Sequence, residues 1–133
     1  MIFVLDASAL LAYLRAEPGG EVVDSILGSE DNACYVHAVN LCEVYYDTIR
    51  EFDKPKAQAT IEALLVAGII VRDDMDAAFW QFAGDCKAPG GISLADCFCI
   101  VLASRLVAEI VTADRREFGP AAERGMCRVK FVR

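Results

Sequence analysis

The sequence has one histidine and no stretch long enough to cross a membrane. Because His37 is the only histidine among 133 residues, a serine–histidine catalytic pair and a histidine-rich zinc site are both poor interpretations. The longest apolar stretch, residues 63–71, is far shorter than the ~18 residues of a membrane-spanning helix. The first residues lack the basic start and apolar length of a secretory signal, and Asp6 interrupts them. We therefore expect a cytoplasmic protein without a membrane partner.

Positive charge is also scarce, and it is unevenly placed. The net charge of −7 argues against a general nucleic-acid binder, whose affinity depends on a basic surface. Residues 115–133 nevertheless carry six Lys and Arg residues against two Glu, a net of +4, which leaves −11 on the rest. This segment is either a solvated basic tail or a basic surface strip that binds a polyanion, next to an acidic remainder of the protein.

The six cysteines do not indicate disulfides or a metal site. They lie within apolar segments, where free thiols behave as small hydrophobic side chains. Cys97 and Cys99 stand two residues apart, roughly 200° around a helix, so they cannot chelate one ion together. We expect the cysteines to lie in the core.

Short strand-like runs alternate with segments of helical periodicity. Apolar residues make up 56% of the chain, which suits one folded domain over residues 1–133. The alternation favours an α/β domain with a mostly parallel sheet. Strands are predicted at residues 2–5, 33–36, 69–71, 109–113 and 127–132, with helices between the first four and only a turn at 115–118 before the last.

One helix begins with a carboxylate in otherwise apolar surroundings. In the stretch ISLADCFCIVLA (92–103), Ser93 and Asp96 have the spacing of a capping box, in which each side chain accepts from a backbone N–H of the other residue. Alternatively, Asp96 is a ligand for a cation at the helix start. These twelve residues alone favour the cap.

Four carboxylates from distant segments are predicted to meet at one edge of the sheet, because open α/β sheets bind ligands beyond the carboxyl ends of their strands. Asp6 and Asp114 directly follow predicted strands, Asp96 opens a helix, and Glu43 lies early in another helix. Each alone reads as a cap or a solvated residue. Four converging like charges, however, require protonation or a cation. Oxygen ligands without His or Cys point to Mg²⁺ or Mn²⁺.

The stretches that carry these carboxylates resemble the motifs of PIN-domain ribonucleases, and the short chain is similar to VapC-type toxins of toxin–antitoxin pairs. The stretches are VLDASALLAYL (4–14), VNLCEVYYD (39–47), ISLADCFCIVLA (92–103) and IVTADRREF (110–118). In order and spacing they span nearly the whole chain. The resemblance implies a PIN-like three-layer α/β/α domain around a mostly parallel sheet of about five strands.

The resemblance also implies roles for individual residues. Asp6, Glu43, Asp96 and Asp114 form the catalytic and metal-binding quartet. The supporting polar residues are Ser8, Ser93, Thr112 and Glu117, the last of which either assists the metal or lies on the surface. Asn40, three residues before Glu43, is either part of the site or only a cap of that helix. The basic residues that could contact RNA are Arg15, Arg115 and Arg116.

The implied activity is hydrolysis of RNA phosphodiester bonds by a Mg²⁺- or Mn²⁺-dependent endoribonuclease, with one or two ions in the quartet and no protein nucleophile. The products would be 5′-phosphate and 3′-hydroxyl ends. The implied partners are the RNA substrate and a VapB-like antitoxin. Two adjacent aromatic pairs, at 45–46 and 79–80, cannot all point into one core, so we also expect a homodimer and a groove for an antitoxin segment.

Three alternatives stay open. A haloacid-dehalogenase-like phosphatase needs a second acid two residues after Asp6, where this chain has Ser8. A receiver domain needs paired acids after its first strand and an Asp to phosphorylate after its third, which Asp73 and Asp74 match poorly. A catalytically inactive PIN-like module could bind RNA or protein, although such a module would gain stability by losing part of the repulsive quartet. Metal-dependent RNA cleavage separates these readings.

Overall fold

A computed structural model describes residues 1–133, and a five-stranded parallel sheet lies at its centre. The strands are β1 (Ile2–Leu5), β2 (Ala33–His37), β3 (Ile70–Arg72), β4 (Glu109–Thr112) and β5 (Val129–Phe131). Their spatial order is β3-β2-β1-β4-β5, and every neighbouring pair is parallel. The sheet prediction is confirmed.

Seven helices cover the two faces of this sheet. They are α1 (Ala7–Leu14), α2 (Gly20–Leu27), α3 (Ala38–Glu51), α4 (Lys54–Val66), α5 (Ala77–Lys87), α6 (Leu94–Leu106) and α7 (Arg115–Glu123). Adjacent β1 residues enter different cores, because side chains alternate along a strand. Val4 packs with Phe79 and Phe118 on one face, whereas Leu5 packs with Leu10 on the other. The three-layer α/β/α prediction is therefore also confirmed.

The chain differs from the sequence expectation at α7, where only a turn was predicted. Gly119 and Pro120 weaken the helical pattern, since both residues have low helix propensity. Tertiary packing overrides that propensity, because Phe118 and Ala121 are both buried and Asp114 caps the helix.

The cysteine prediction is wrong for one residue. Cys34, Cys86, Cys97 and Cys99 are buried and Cys127 is half-buried, but Cys42 is exposed. Cys42 lies two residues from the buried Val44 on α3, which places it roughly 200° around the helix from the packed face.

The strand order places the site. Strands β2 and β3 lie on one side of β1, whereas β4 and β5 lie on its other side. The strand order therefore reverses between β1 and β4, and parallel sheets form a crevice at the carboxyl ends of the strands at such a point. Leu5 is in register with Val111, and the Asp6 N–H donates to the Val111 carbonyl at 3.2 Å. The segments that follow β1 and β4 therefore start side by side. None of the seven helices combines the length and apolar character needed to span a membrane.

Candidate functional site

Asp6 is the most enclosed carboxylate of the chain, with 2% of its surface exposed. It caps α1 by accepting from the Ala9 N–H at 2.9 Å. Its oxygens also accept from the Thr112 hydroxyl at 2.6 Å and from the Ser8 hydroxyl at 2.8 and 2.9 Å. Burial nevertheless raises the pKa of Asp6 to about 6, because the loss of hydration outweighs these hydrogen bonds and the nearby charge of Asp114 adds to it.

Asp114 is joined to Asp6 through Thr112. The Asp114 N–H donates to the Thr112 hydroxyl at 2.9 Å, and that hydroxyl donates to Asp6. The Asp114 side chain caps α7 by accepting from the Glu117 N–H at 3.0 Å. The Ala113 N–H donates to the Ser8 hydroxyl at 3.0 Å. Ser8 and Thr112 thus bind the segments after β1 and β4 to each other.

Asp96 lies in the first turn of α6, where only half of a capping box forms. The Ser93 hydroxyl accepts from the Asp96 N–H at 3.2 Å, as a cap should. The carboxylate of Asp96 makes no return hydrogen bond to the Ser93 N–H. Its pKa is raised to about 7, first by burial and then by the charges of Asp6, Glu117 and Glu43, with a smaller opposing effect of Ser93. The cap is therefore supplied by Ser93, and the Asp96 carboxylate faces other carboxylates.

Glu43 lies in α3 and is half-buried. Its pKa is raised by burial and by the charges of Asp6, Asp47 and Glu117. Asp6, Glu43 and Asp96 thus each have a pKa that is raised by the charge of another member of the predicted quartet. Asp47 itself pairs with Arg15 at 2.7 Å, which places that arginine near Glu43.

Glu117 also belongs to this neighbourhood. Its charge raises the pKa values of both Asp96 and Glu43, and its Oε2 atom is buried without a hydrogen-bond partner. Glu117 is thus half-buried beside these carboxylates, and its role in assisting a metal stays a prediction. We call Asp6, Glu43, Asp96, Asp114 and Glu117 the acidic cluster.

Asn40 does not cap α3, which was one of its two sequence interpretations. His37 does so, since its Nδ1 accepts from the Val39 N–H at 3.1 Å, while its Nε2 lies 2.9 Å from the Asp74 carbonyl. Asn40 is fully buried, and its Nδ2 donates to the Ala95 carbonyl at 3.2 Å. The sequence signal that could have linked Asn40 to the site was its spacing, because residues at i and i+3 share a helix face and Asn40 precedes Glu43 by three positions.

The arginines predicted to contact RNA differ in whether their guanidinium groups already make contacts within the protein. Arg115 is engaged within the protein, because its Nε donates to the Arg133 carbonyl at 2.7 Å and its guanidinium lies over the Phe131 ring. Arg116 is exposed and has no such contact. It is the freest of the three predicted cations, since Arg15 pairs with Asp47.

The cluster offers acceptors with few donors. The only buried side-chain oxygens or nitrogens without a partner in the whole chain are Glu117 Oε2 and Asn40 Oδ1, and both belong to residues at this site. Carboxylate and amide oxygens are the ligands of hard divalent cations. The present side-chain conformers do not close around an ion, because no three His, Cys, Asp or Glu side chains converge closely enough to hold one. Oxygen ligands of this kind fit Mg²⁺ or Mn²⁺, and ion binding would need side-chain rotation or intervening water.

Comparison with solved structures finds the same fold in proteins that include a described toxin. VapBC2 from Rickettsia felis, bound to a promoter DNA fragment, aligns with a TM-score of 0.73 at 15% identity over 98% of each chain. VapC20 from Mycobacterium tuberculosis, a sarcin-ricin loop cleaving toxin, aligns with 0.71 at 14% identity, covering 91% of this chain and 95% of its own. FitAcB from Neisseria gonorrhoeae aligns with 0.64 at 22% identity, covering 99% and 98%.

No curated protein sequence matches this chain. Among protein families, the PIN domain matches residues 3–123, which include all five residues of the acidic cluster. The chain belongs to the PIN domain family.

Proposed function

We propose that this protein is a divalent-metal-dependent endoribonuclease and the toxin of a type II toxin–antitoxin pair. One observation carries the proposal: five carboxylates from distant segments share a site in which neighbouring carboxylates raise the pKa values of Asp6, Glu43 and Asp96. None of the five forms a salt bridge with a basic side chain. Such an arrangement is unfavourable in the metal-free protein. Proteins retain it where a bound ion or a reaction requires it.

The cluster would hold Mg²⁺ or Mn²⁺, with Asp6, Glu43, Asp96 and Asp114 as ligands and Glu117 in support. A bound divalent ion activates water for attack on a phosphodiester and offsets the charge that develops there. The chain's own contribution is orientation. Thr112 and Ser8 fix the Asp6 carboxylate.

The same site explains why no protein nucleophile is needed. Ser8, the only serine beside Asp6, donates its hydroxyl to that carboxylate and accepts from the Ala113 N–H. His37, which could have served as its base, is buried against the rings of Phe79 and Phe98. Water is therefore the attacking group in this proposal. Arg116 supplies an exposed cation for the RNA backbone.

The toxin assignment is supported by similarity to chains described as VapBC and FitAcB, and the substrate class by the description of VapC20. The surface offers a place for an antitoxin segment: an open groove of about 690 Å³ between α3 and α4, lined in part by Leu41, Tyr45 and Ile61. A small open reading frame directly upstream would be the simplest supporting observation. Its product, when co-expressed, should relieve growth arrest caused by this chain.

An inactive PIN-like module that only binds RNA or protein is the main alternative, because it would have the same fold. A haloacid-dehalogenase-like phosphatase is less well supported, since the position of its second acid is Ser8 and that hydroxyl is hydrogen-bonded to Asp6. The experiments below distinguish catalysis from binding alone.

Cleavage of structured RNA should require Mg²⁺ or Mn²⁺ and stop in EDTA, because the site has only oxygen ligands. Asp6→Asn and Glu43→Gln should reduce cleavage to background in a gel assay. Asp24→Asn, which removes an exposed carboxylate of α2, is the matched control and should cleave like the wild type. Undiminished cleavage in EDTA would contradict a metal-dependent hydrolase.

Asp96→Asn should stabilise the metal-free protein by on the order of 1–2 kcal/mol at pH 8, as thermal melting can measure. A pKa unit corresponds to ~1.4 kcal/mol, and solvent screening reduces the total. Because burial and like charges raise the folded-state pKa from 3.8 to about 7, wild-type stability should fall as pH rises from about 4 to about 7. The variant should show a smaller fall, and Mn²⁺ should stabilise it less than the wild type.

If Asp96 acts only as a cap, the opposite sign is expected. Losing a carboxylate near a helix N-terminus costs about 0.3–1 kcal/mol. A variant that melts lower in EDTA, yet responds to Mn²⁺ and cleaves RNA like the wild type, would remove Asp96 from the proposed metal site.

The protein should form a homodimer, because large apolar side chains remain exposed. Trp80 is 51% exposed and Val66 is 90% exposed, and such surface often marks a partner site. Light scattering should give twice the 14.5 kDa chain mass, and Trp80→Glu should weaken the dimer more than the control Gln81→Glu. A mass of 14.5 kDa at tens of micromolar protein would contradict the prediction.

A further inference from the structure

Asn40 is a buried polar residue in which only one of the two polar side-chain atoms has a hydrogen bond. Its side chain is inaccessible to solvent, and Nδ2 donates to the Ala95 carbonyl at 3.2 Å. Its Oδ1 atom is buried and accepts nothing. The orientation of the amide is set by chemistry, because only the NH₂ end can donate to a carbonyl. The free atom is therefore an acceptor.

Such an atom is costly to keep. Burying a polar group without a hydrogen bond destabilises a protein, whereas an apolar side chain of the same shape avoids that cost. Thr48, a buried polar residue on the same helix, is satisfied within that helix by donating to the Val44 carbonyl at 2.7 Å. Asn40 differs from Thr48 because its single bond leaves the helix and its second polar atom has no partner.

The location of Asn40 connects two carriers of the acidic cluster. It precedes Glu43 by three residues, so both lie on one face of α3. Its acceptor Ala95 directly precedes Asp96 in the first turn of α6. The Asn40 side chain thus bridges the helix that bears Glu43 and the helix that bears Asp96.

We propose that Asn40 is a positioning residue of this site. Its Nδ2 holds the start of α6 against α3, which sets Asp96 relative to Glu43, and its Oδ1 is a neutral acceptor for water held at the cluster. Magnesium usually keeps several of its waters when a protein binds it, and each of those waters needs an acceptor. A neutral oxygen meets that need without adding a further negative charge. This inference rests on the proposed function.

The test uses Asn40→Leu, which replaces the amide by an apolar group of the same branching. The melting temperature of the metal-free variant should be unchanged or higher, since an unsatisfied acceptor is removed. The Mn²⁺ concentration for half-maximal thermal stabilisation should rise about 10–100-fold, as for other residues that orient metal ligands. The kcat for RNA cleavage should fall by a similar factor while KM changes less than about twofold.

Thr48→Val is the matched control, because it removes a buried but satisfied hydroxyl from the same helix. It should leave both the Mn²⁺ response and kcat at the wild-type values. If Asn40→Leu does not fold, Asn40→Ala provides the same comparison, with a lower melting temperature but the same loss of Mn²⁺ response and kcat.

The outcomes separate this inference from the proposed function. A wild-type protein that neither responds to Mn²⁺ nor cleaves RNA would overturn both. A wild type that does both, with Asn40 variants that respond and cleave equally well, would overturn only the role of Asn40 and leave it as a packing residue.

Discussion

The buried carboxylate of Asp6 is the feature on which the rest of the site depends. It lies at the end of β1, between β2 and β4, and accepts hydrogen bonds from both segments that meet at this edge of the sheet. Those bonds reduce the cost of burying the carboxyl group, but they do not remove it, because the pKa still rises to about 6. Every further carboxylate placed near Asp6 adds repulsion. Stability and charge are therefore in conflict at this edge, and a cation would resolve the conflict.

Helix capping does not exclude the proposed ion binding at this site. Asp6 caps α1 and Asp114 caps α7, so the plain explanation of each residue as a cap is correct as far as it goes. Both helices begin directly after a strand, and helix N-termini favour negative charge because of their free N–H groups. The same geometry that makes an Asp a good cap gathers carboxylates at one rim. At α6 the two tasks are divided, with Ser93 capping and Asp96 facing the cluster.

Much of this arrangement follows from sequence-level reasoning, for identifiable reasons. The strands are short apolar runs that alternate with helices, and an Asp after such a strand must lie at the carboxyl edge of a parallel sheet. The position of Glu117 could not be obtained in this way, because it depends on α7 docking through Phe118 despite Pro120. The bridge from Asn40 to Ala95 joins residues 55 positions apart and arises only from the packing of α3 on α6. Cys42 was misplaced because Leu41 and Val44 near it are apolar, although its own face of the helix is not packed.

The central claim is that the carboxylates bind a divalent ion. A structure from crystals grown with saturating Mn²⁺, with anomalous scattering used to locate the ion, tests it most directly. The account predicts an anomalous peak among the carboxylates of Asp6, Glu43, Asp96 and Asp114. Directly coordinating oxygens should lie about 2.0–2.2 Å away, close to the distance for Mg²⁺. At least one of these side chains should have rotated from its metal-free position. Carboxylates that keep their metal-free conformers, with no anomalous peak among them at saturating Mn²⁺, would contradict the account.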